Sequence, residues 1–243
     1  MTKRLAILAV ILCAILVLLA GYILISNDFL NKVPETTPPA ETEVVPNAEE
    51  QSRFFDTKSL LLCANKKHKL PNNYEPEDLC EPSVPFKTKP CTVREVMKKD
   101  LEALFEEAKN QSLDLYLLSG YRSDAQQEEV YEEITRTNGE EYAEKYSSRA
   151  GYSEHQTGLA VDIMNNGEAL EAEFAASDEG KWLKDNAYRY GFILRYPEGC
   201  EEHTGFAYEP WHFRYIGREE AKKVYESGKC FEDYYGISGG DYE

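Results

Sequence analysis

The chain has 243 residues, and its 44 aspartates and glutamates outnumber its 27 lysines and arginines, which gives a formal net charge of -17. This length suits one domain of ordinary size with accessory segments. The acidic balance argues against nucleic acid as a partner, because nucleic-acid binders need clustered basic residues. None of the six cysteines forms a C-x-x-C pair, so a zinc knuckle or a thioredoxin-like motif is disfavoured.

The N-terminal stretch predicts a membrane anchor. Leu5 to Ile25 is an unbroken run without charge, preceded by Lys3 and Arg4. As a helix it would span roughly 30 Å, the thickness of a bilayer core. We therefore expect a cytoplasmic tip at residues 1–4, one transmembrane helix at residues 5–25 and the rest of the chain outside the membrane. A cleaved signal peptide is the alternative, although the run is long for one and no clear A-x-A site follows before Asn27.

A polar segment follows this run. Residues 33–51 are rich in proline, threonine and glutamate and show no apolar period. Such a composition cannot bury enough apolar surface to fold. We expect residues 26–55 to form an extended, disordered tether between the anchor and a catalytic head.

The part of the chain that follows the tether predicts a scaffold of helices and strands. Residues 60–64 are apolar and predict a buried strand. Thr92 and Glu95 have the spacing of a capping box ahead of a helix, and Ser123 and Gln126 have it ahead of a second one. An apolar stripe at helical spacing follows Thr92, and we expect it to form core: Val93, Met97, Leu101, Leu104, Phe105 and Ala108.

Five cysteines follow the predicted anchor, so at least one must stay unpaired within a monomer. Cys80 and Cys91 flank a proline-rich loop and could pair outside the membrane, and Cys200 with Cys230 is a second suggestion. Sequence alone does not fix the connectivity.

Arg122 is a candidate substrate-binding residue. The predicted strand 113–118 runs into Ser119-Gly-Tyr-Arg-Ser123, so Arg122 lies at a strand-to-helix turn, where side chains commonly meet ligands. An arginine there could hold a carboxylate through two parallel hydrogen bonds, although the residue taken alone favours a surface ion pair, since acidic residues are plentiful. Gln127 lies one helical turn further and could line the same cleft.

A second candidate region spans residues 153–162. His155 and Asp162 flank Gly158, a residue that allows a sharp turn. Leu159, Val161 and Ile163 would lie on one face of a strand, and Asp162 on the other. An aspartate in so apolar a strand is costly unless it is paired or binds metal.

A third ligand can come from residues 206–216, an aromatic stretch that predicts a strand. His212 would complete a His/His/carboxylate zinc shell with His155 and Asp162, leaving a fourth position for water. Glu209 would accept the proton of that water. Residues three apart on a strand lie on opposite faces, so both side chains reach one site only if Pro210 marks a bend. We exclude His68 as a ligand, because it lies among lysines, and we expect His203 to lie in a surface turn.

Together these segments resemble a known family. Ser153-Glu-His-Gln-Thr-Gly-Leu-Ala-Val-Asp162 matches the S-x-H-x-x-G-x-A-x-D signature of VanY-type zinc D-alanyl-D-alanine carboxypeptidases. Residues 209–217 resemble that family's second motif, and residues 119–123 a third. The resemblance implies an α+β fold with a small antiparallel sheet flanked by helices, as in the D,D-peptidase and Hedgehog group. It covers about residues 60–225, within a catalytic domain that we place at residues 56–236, followed by an acidic tail at residues 237–243.

The resemblance also implies roles. One zinc ion would bind to His155, Asp162 and His212, Glu209 would be the catalytic base, and the substrate would contact Arg122, Gln127 and Ser153. The substrate would be a peptidoglycan stem peptide ending in D-Ala-D-Ala, cut by a monomer anchored outside a bacterial cell membrane. An L,D-carboxypeptidase, a D,D-dipeptidase and a catalytically inactive wall-binding domain remain alternatives.

Overall fold

The computed structural model describes residues 51–167 and 172–242. Helices and strands are interspersed along these ranges, with a short 3-10 turn at Glu154–Thr157 and another at Ala187–Tyr190. They follow in the order β1 Leu79–Cys80, β2 Val93–Arg94, α1 Glu95–Asn110, β3 Tyr116–Ser119, α2 Asp124–Asn138, α3 Glu140–Tyr146, β4 Ala160–Met164, α4 Ala172–Ala176, α5 Asp178–Asn186, β5 Phe192–Leu194, α6 Glu201–Thr204, β6 His212–Tyr215, α7 Arg218–Ser227 and α8 Phe231–Tyr235.

A four-stranded antiparallel sheet, in the order β3-β4-β6-β5, forms the centre of the fold. Every residue of β4 is buried, as expected for a central strand whose two faces are both covered. Strands β1 and β2 form a separate two-stranded ladder. The predicted α+β class with a small antiparallel sheet is therefore confirmed.

Helix α1 packs the predicted apolar stripe into the main core. Met97, Leu101 and Leu104 are fully buried, and the rest of the stripe is buried with them. The capping box predicted at Thr92 does not form, because Val93 and Arg94 extend as β2 and Arg94 becomes the N-cap without a side-chain bond.

The second predicted capping box is present at the start of α2. The Gln126 amide N–H donates to Ser123 Oγ over 3.3 Å, and the Ser123 amide N–H donates to Gln126 Oε1 over 3.0 Å. Both reciprocal bonds satisfy N–H groups that the first helical turn leaves free. Helix α2 therefore starts immediately after Arg122 and fixes the backbone that carries it.

Packed structure continues beyond both predicted ends of the catalytic domain, residues 56 and 236. Phe54 is only 2% exposed, and its ring centroid lies 5.3 Å from that of Tyr235, so the tether ends before residue 55. At the other end Tyr242 lies 5.1 Å from Tyr152, and Asp241 Oδ1 is 3.1 Å from Lys66 Nζ. The predicted acidic tail therefore contacts the domain through Asp241 and Tyr242.

Residues 60–64 are largely buried, as expected, but they are not a strand. The carbonyls of Leu60 and Leu62 accept hydrogen bonds from Arg214 Nη2, at 2.9 and 2.7 Å, instead of pairing with a strand. The thiols of the five described cysteines are free, so neither suggested disulfide forms.

The predicted cytoplasmic tip and transmembrane segment, and the tether up to residue 50, lie outside the described residues. Within residues 51–167 and 172–242, no helix has the length and apolar character needed to cross a membrane.

Candidate active site

Three side chains converge at the centre of the sheet. His155, Asp162 and His212 are all buried, and each offers a ligand atom within 4.8 Å of the other two. Asp162 and His212 meet because they are direct partners across the antiparallel β4–β6 pair. His155 arrives from the 3-10 turn, which ends at Gly158 with a φ of 66° and leads the chain into β4. The predicted turn at Gly158 is therefore confirmed.

The ring of His155 has a defined orientation. Its Nδ1 lies 2.8 Å from the carbonyl oxygen of Gly120, and its Nε2 lies 3.3 Å from Asp162 Oδ2. We assign the ring proton to Nδ1, which donates to the carbonyl. Nε2 then faces the cluster with its lone pair, as is usual for a histidine that binds a metal.

His212 presents the opposite nitrogen. Its Nδ1 lies 3.1 Å from Asp162 Oδ1 and 3.7 Å from Glu209 Oε2. Asp162 Oδ1 is buried and, among the described residues, takes part in no hydrogen bond of acceptable geometry. Two imidazole nitrogens and a carboxylate oxygen therefore face one point, and this donor set suits zinc.

A tight turn places Glu209 beside this cluster. The His212 amide N–H donates to the Glu209 carbonyl over 3.1 Å, which closes a four-residue turn with Pro210 at its second position. Strand β6 begins only at His212, so the alternation of faces along a strand does not separate the two side chains. The bend predicted at Pro210 is therefore present.

Burial and charge together shift the pKa values of these groups. Burial alone would raise the pKa of Asp162, but His155 and His212 hold it well below its usual range. Burial, together with the Asp162 carboxylate, raises the pKa of Glu209 to about 8. Burial lowers the pKa of His212, yet the Asp162 and Glu154 carboxylates outweigh it and raise that pKa to about 9. A site with this surplus of negative charge favours a cation.

Arg122 faces the same cleft and is held from two sides. Its Nη1 donates to Gln127 Oε1 over 2.7 Å, and its Nη2 donates to Ser119 Oγ over 2.9 Å. Gln127 is buried and donates in turn to the Ser148 carbonyl over 2.6 Å. The amide of Gln127 thus aligns the guanidinium, while the guanidinium borders the cavity.

Ser153 lines the cleft and also caps the turn that carries His155. Its Oγ accepts from the His155 amide N–H at 3.3 Å. The cleft has a volume of about 350 Å³, and Arg122, Gln127, Ser153 and Glu209 all border it. The structure therefore brings together all seven predicted site residues.

The remaining two histidines lie away from the site, as expected, although His203 lies on helix α6 and not in a turn. His203 is exposed, with Nδ1 2.7 Å from Asp233 Oδ1, and His68 Nδ1 lies 2.8 Å from Asn65 Oδ1.

Some residues at the site were not predicted. Glu154 is fully buried, and its Oε2 lies 3.5 Å from His212 Nε2. The ring of Tyr196 lies 4.8 Å from that of His212. The position of Glu154 beside His155 was the one available signal, and in so acidic a chain it did not stand out.

Three converging ligands with an adjacent carboxylate form the kind of site found in mononuclear metallohydrolases. The family model described as VanY, D-alanyl-D-alanine carboxypeptidase, matches residues 91–218. The chain belongs to this family.

Individual proteins that are similar to this chain are named as carboxypeptidases or peptidases. The Bacillus subtilis protein named "Putative carboxypeptidase YodJ" is 39% identical over 183 residues, which cover 73% of this chain and 67% of the relative. The solved structure of the LdcB LD-carboxypeptidase is 38% identical with a TM-score of 0.68 and covers 74% of this chain and 87% of its own. A variant of the D,D-pentapeptidase VanY from a VanB-type resistance cassette, solved with Zn(II), is 34% identical with a TM-score of 0.63 and covers 72% and 98%.

Proposed function

We propose that this chain is a zinc-dependent D,D-carboxypeptidase that removes the C-terminal D-Ala from peptidoglycan stem peptides. The observation that carries the proposal is the convergence of His155, Asp162 and His212 within 4.8 Å, with Glu209 Oε2 3.7 Å from His212 Nδ1. His155 Nε2, His212 Nδ1 and an Asp162 oxygen would hold one zinc ion. Zinc, when bound, supplies Lewis acidity toward the attacking water and the scissile carbonyl.

Glu209 performs the proton transfers in this proposal. Its carboxylate accepts a proton from the water whose oxygen attacks the carbonyl carbon. It then delivers that proton to the amine nitrogen as the carbon–nitrogen bond breaks, so that D-Ala leaves as the free amino acid. The turn at Pro210 keeps Glu209 beside the cluster, so its oxygens can approach the water without displacing a ligand.

Arg122 would select peptides by their free end. A guanidinium bordering the cleft can bind a terminal carboxylate through two charge-assisted hydrogen bonds. In this proposal Gln127 aligns Arg122, and Ser153 holds the His155 turn and contributes to the cleft wall. The clamp limits hydrolysis to the last residue, and this limit distinguishes a carboxypeptidase from an endopeptidase.

An L,D-carboxypeptidase is the second candidate, favoured by the similarity to the LdcB structure. Both activities release a D-Ala that carries a free carboxylate, so Arg122 serves either one. The two differ in the configuration of the residue before the cut bond. The part of the cleft that receives that residue must therefore decide between them.

The deciding experiment uses purified zinc-loaded protein with two synthetic stem peptides and a mass-spectrometric readout. Loss of one D-Ala from a pentapeptide ending in D-Ala-D-Ala is the expected result. Cleavage of the tetrapeptide alone would establish the L,D activity instead. Free D-Ala-D-Ala is included as a third substrate, because its hydrolysis as the preferred substrate would indicate a D,D-dipeptidase.

A catalytically inactive wall-binding domain is the alternative from another class. The presence of Glu209 beside a complete ligand set argues for hydrolysis. A chelator should abolish cleavage of the pentapeptide, and added zinc should restore it. Protein that binds insoluble peptidoglycan but cleaves none of the peptides, with or without zinc, would support the binding domain.

We further propose that residues 5–25 anchor the domain outside a bacterial cell membrane, where the wall is accessible. The uncharged run behind Lys3 and Arg4 supports this placement. The full chain should sediment with membranes and be degraded by external protease in spheroplasts, whereas a variant lacking residues 1–25 should stay soluble inside. Recovery of a shortened chain from the medium would indicate a cleaved signal peptide.

A further inference from the structure

A buried chain of charges lies next to the candidate metal site. Glu154, Arg195, Arg214 and Glu232 are each at most 2% exposed. Arg195 Nε and Arg214 Nη1 both donate to Glu154 Oε1 over 2.8 Å. Arg195 Nη1 also donates to Glu232 Oε2 over 2.8 Å. Two carboxylates and two guanidinium groups balance in charge, which is what makes such a cluster tolerable in a protein interior.

This cluster meets the candidate metal site at His212. The Nε2 atom of His212 faces Glu154 Oε2 at 3.5 Å. Within the described ranges neither of these two buried atoms has a hydrogen-bond partner of standard geometry. The other ring nitrogen, Nδ1, faces Asp162 and Glu209. One edge of the His212 ring therefore faces the candidate metal site, and the other edge faces Glu154.

We propose that Glu154 is a positioning residue for the metal. With zinc in place, Oε2 would close the present 3.5 Å separation and accept the Nε2–H of His212. This bond would fix the tautomer in which Nδ1 carries the lone pair and direct that nitrogen to zinc. The inference rests on the zinc-dependent function proposed above. The mirror arrangement at His155, where Nδ1–H donates to the Gly120 carbonyl over 2.8 Å, shows how the other ligand is oriented.

The arginines determine where Glu154 lies and why its charge matters. Both guanidinium groups hold Oε1, which leaves Oε2 directed at His212. Arg195 is fixed in turn by Glu232, whose Oε1 also accepts from Asn65 Nδ2 at 3.0 Å. Without the Glu154 carboxylate, Glu232 would be the one carboxylate left for two buried guanidinium groups, so a net positive charge would lie beside a site meant for a cation.

The test measures zinc affinity, which needs no turnover. Glu154→Gln keeps the size of the side chain but removes the charge and presents an N–H₂ group to one of its donors. We expect zinc affinity, measured by competition with a chromogenic chelator, to fall roughly 10- to 100-fold. The absorption spectrum of the cobalt(II)-substituted protein should change as well. Glu232→Gln, which does not touch His212, should lower the affinity less.

Glu202→Gln serves as the matched control, because Glu202 is exposed on α6 and lies outside the cluster. A folded Glu154→Gln protein with a cobalt spectrum like the parent's and zinc affinity within about twofold of it would overturn the proposal.

A second measurement covers the case in which the variant does not fold. Two-bond nitrogen–proton NMR correlations of the histidine-labelled, zinc-loaded parent should show His212 bound through Nδ1 with a proton on Nε2. Binding through Nε2 would refute the positioning role. A parent that binds zinc but cleaves no stem peptide would contradict the proposed hydrolase and leave this role standing, whereas a parent without zinc affinity would refute both.

Discussion

Glu209 and the metal-site residues occupy one pocket but have separable tasks in the proposal. Glu209 is buried, and its carboxylate lies beside the ligand cluster with no part in it. The proposal therefore assigns binding of the ion and movement of the proton to different side chains.

This separation predicts the behaviour of Glu209→Gln. The variant should keep zinc affinity close to that of the parent, because the three ligands are untouched. Its kcat should fall about 10²- to 10⁴-fold, the usual contribution of a general acid–base residue. Zinc content and pentapeptide turnover are measured on the same preparation. Turnover near the parental rate would remove Glu209 as the base.

Arg122 predicts a different kinetic signature. Arg122→Ala should reduce kcat/KM strongly on a pentapeptide with a free C-terminal carboxylate, and much less on its C-terminal amide, because the amide lacks the charge that the guanidinium binds. Gln127→Ala should produce a weaker form of the same pattern, since Gln127 acts through Arg122. An equal loss on both peptides would mean that Arg122 is structural.

At the scale of elements, a cross-strand pair and two turns build the site. The β4–β6 register brings Asp162 opposite His212, the turn at Gly158 returns His155, and the turn at Pro210 places Glu209. Because these segments are short, a small backbone change at one turn should move a ligand.

Gly158 tests this dependence. An alanine there must adopt a φ of 66°, and its Cβ would meet Arg94 Cγ at 2.9 Å and Leu79 Cδ2 at 3.1 Å. The left-handed backbone alone costs roughly 1–2 kcal/mol. Gly199→Ala is the matched control, because Gly199 has a φ of 84° but no atom within 4 Å of the added Cβ.

We expect Gly158→Ala to lower the melting temperature more than Gly199→Ala and to weaken zinc binding as well. Both variants bear the cost of a left-handed alanine. In a domain of this size that cost corresponds to a drop in melting temperature of roughly 2–8 °C. Equal melting temperatures and equal zinc affinities would show that the contacts around Gly158 relax without consequence.

The sequence predicted the site better than the scaffold. Spacing and residue chemistry were enough to predict that His155, Asp162 and His212 lie together with Glu209 beside them. Asp162 had an evident cost in an apolar strand, and Pro210 marked the bend. Residues 206–216 read as one strand, yet β6 covers only His212–Tyr215, because the Glu209–His212 turn precedes it. Residues 60–64 form no strand. The side chain of Arg214, from strand β6, donates to two of their backbone carbonyls, which a strand would have used for pairing.

At the scale of the whole molecule, the buried ion pairs between residues distant in sequence could not be predicted. Glu154 is 41 residues from Arg195 and 60 from Arg214. In a chain with 44 acidic residues, the position of Glu154 beside His155 is too weak a signal to distinguish the one carboxylate that folding buries against two arginines. Such pairings become visible only once the strands that carry them are in register.

The whole fold also determines which thiols react. Burial raises the pKa of Cys63 to about 12 from its ordinary 9.0. The folded protein keeps this thiol neutral, so the stability that its raised pKa confers is present below pH 9 and is lost as the pH rises toward 12. Since thiolates are the reactive species, iodoacetamide at pH 8 should leave Cys63 unmodified until denaturant is added. Peptide mapping by mass spectrometry checks this, and modification of Cys63 in the native protein would contradict its burial.

The partnership between Arg195 and Glu232 also has a consequence for biogenesis. Ribosomes make Glu154, Arg195 and Arg214 before they make Glu232, so a nascent chain holds two guanidinium groups against a single carboxylate until α8 emerges. Phe54 likewise lacks two of its aromatic contacts until Phe231 and Tyr235 have been made. We therefore expect the domain to complete its packing only after residues 231–235 have been made.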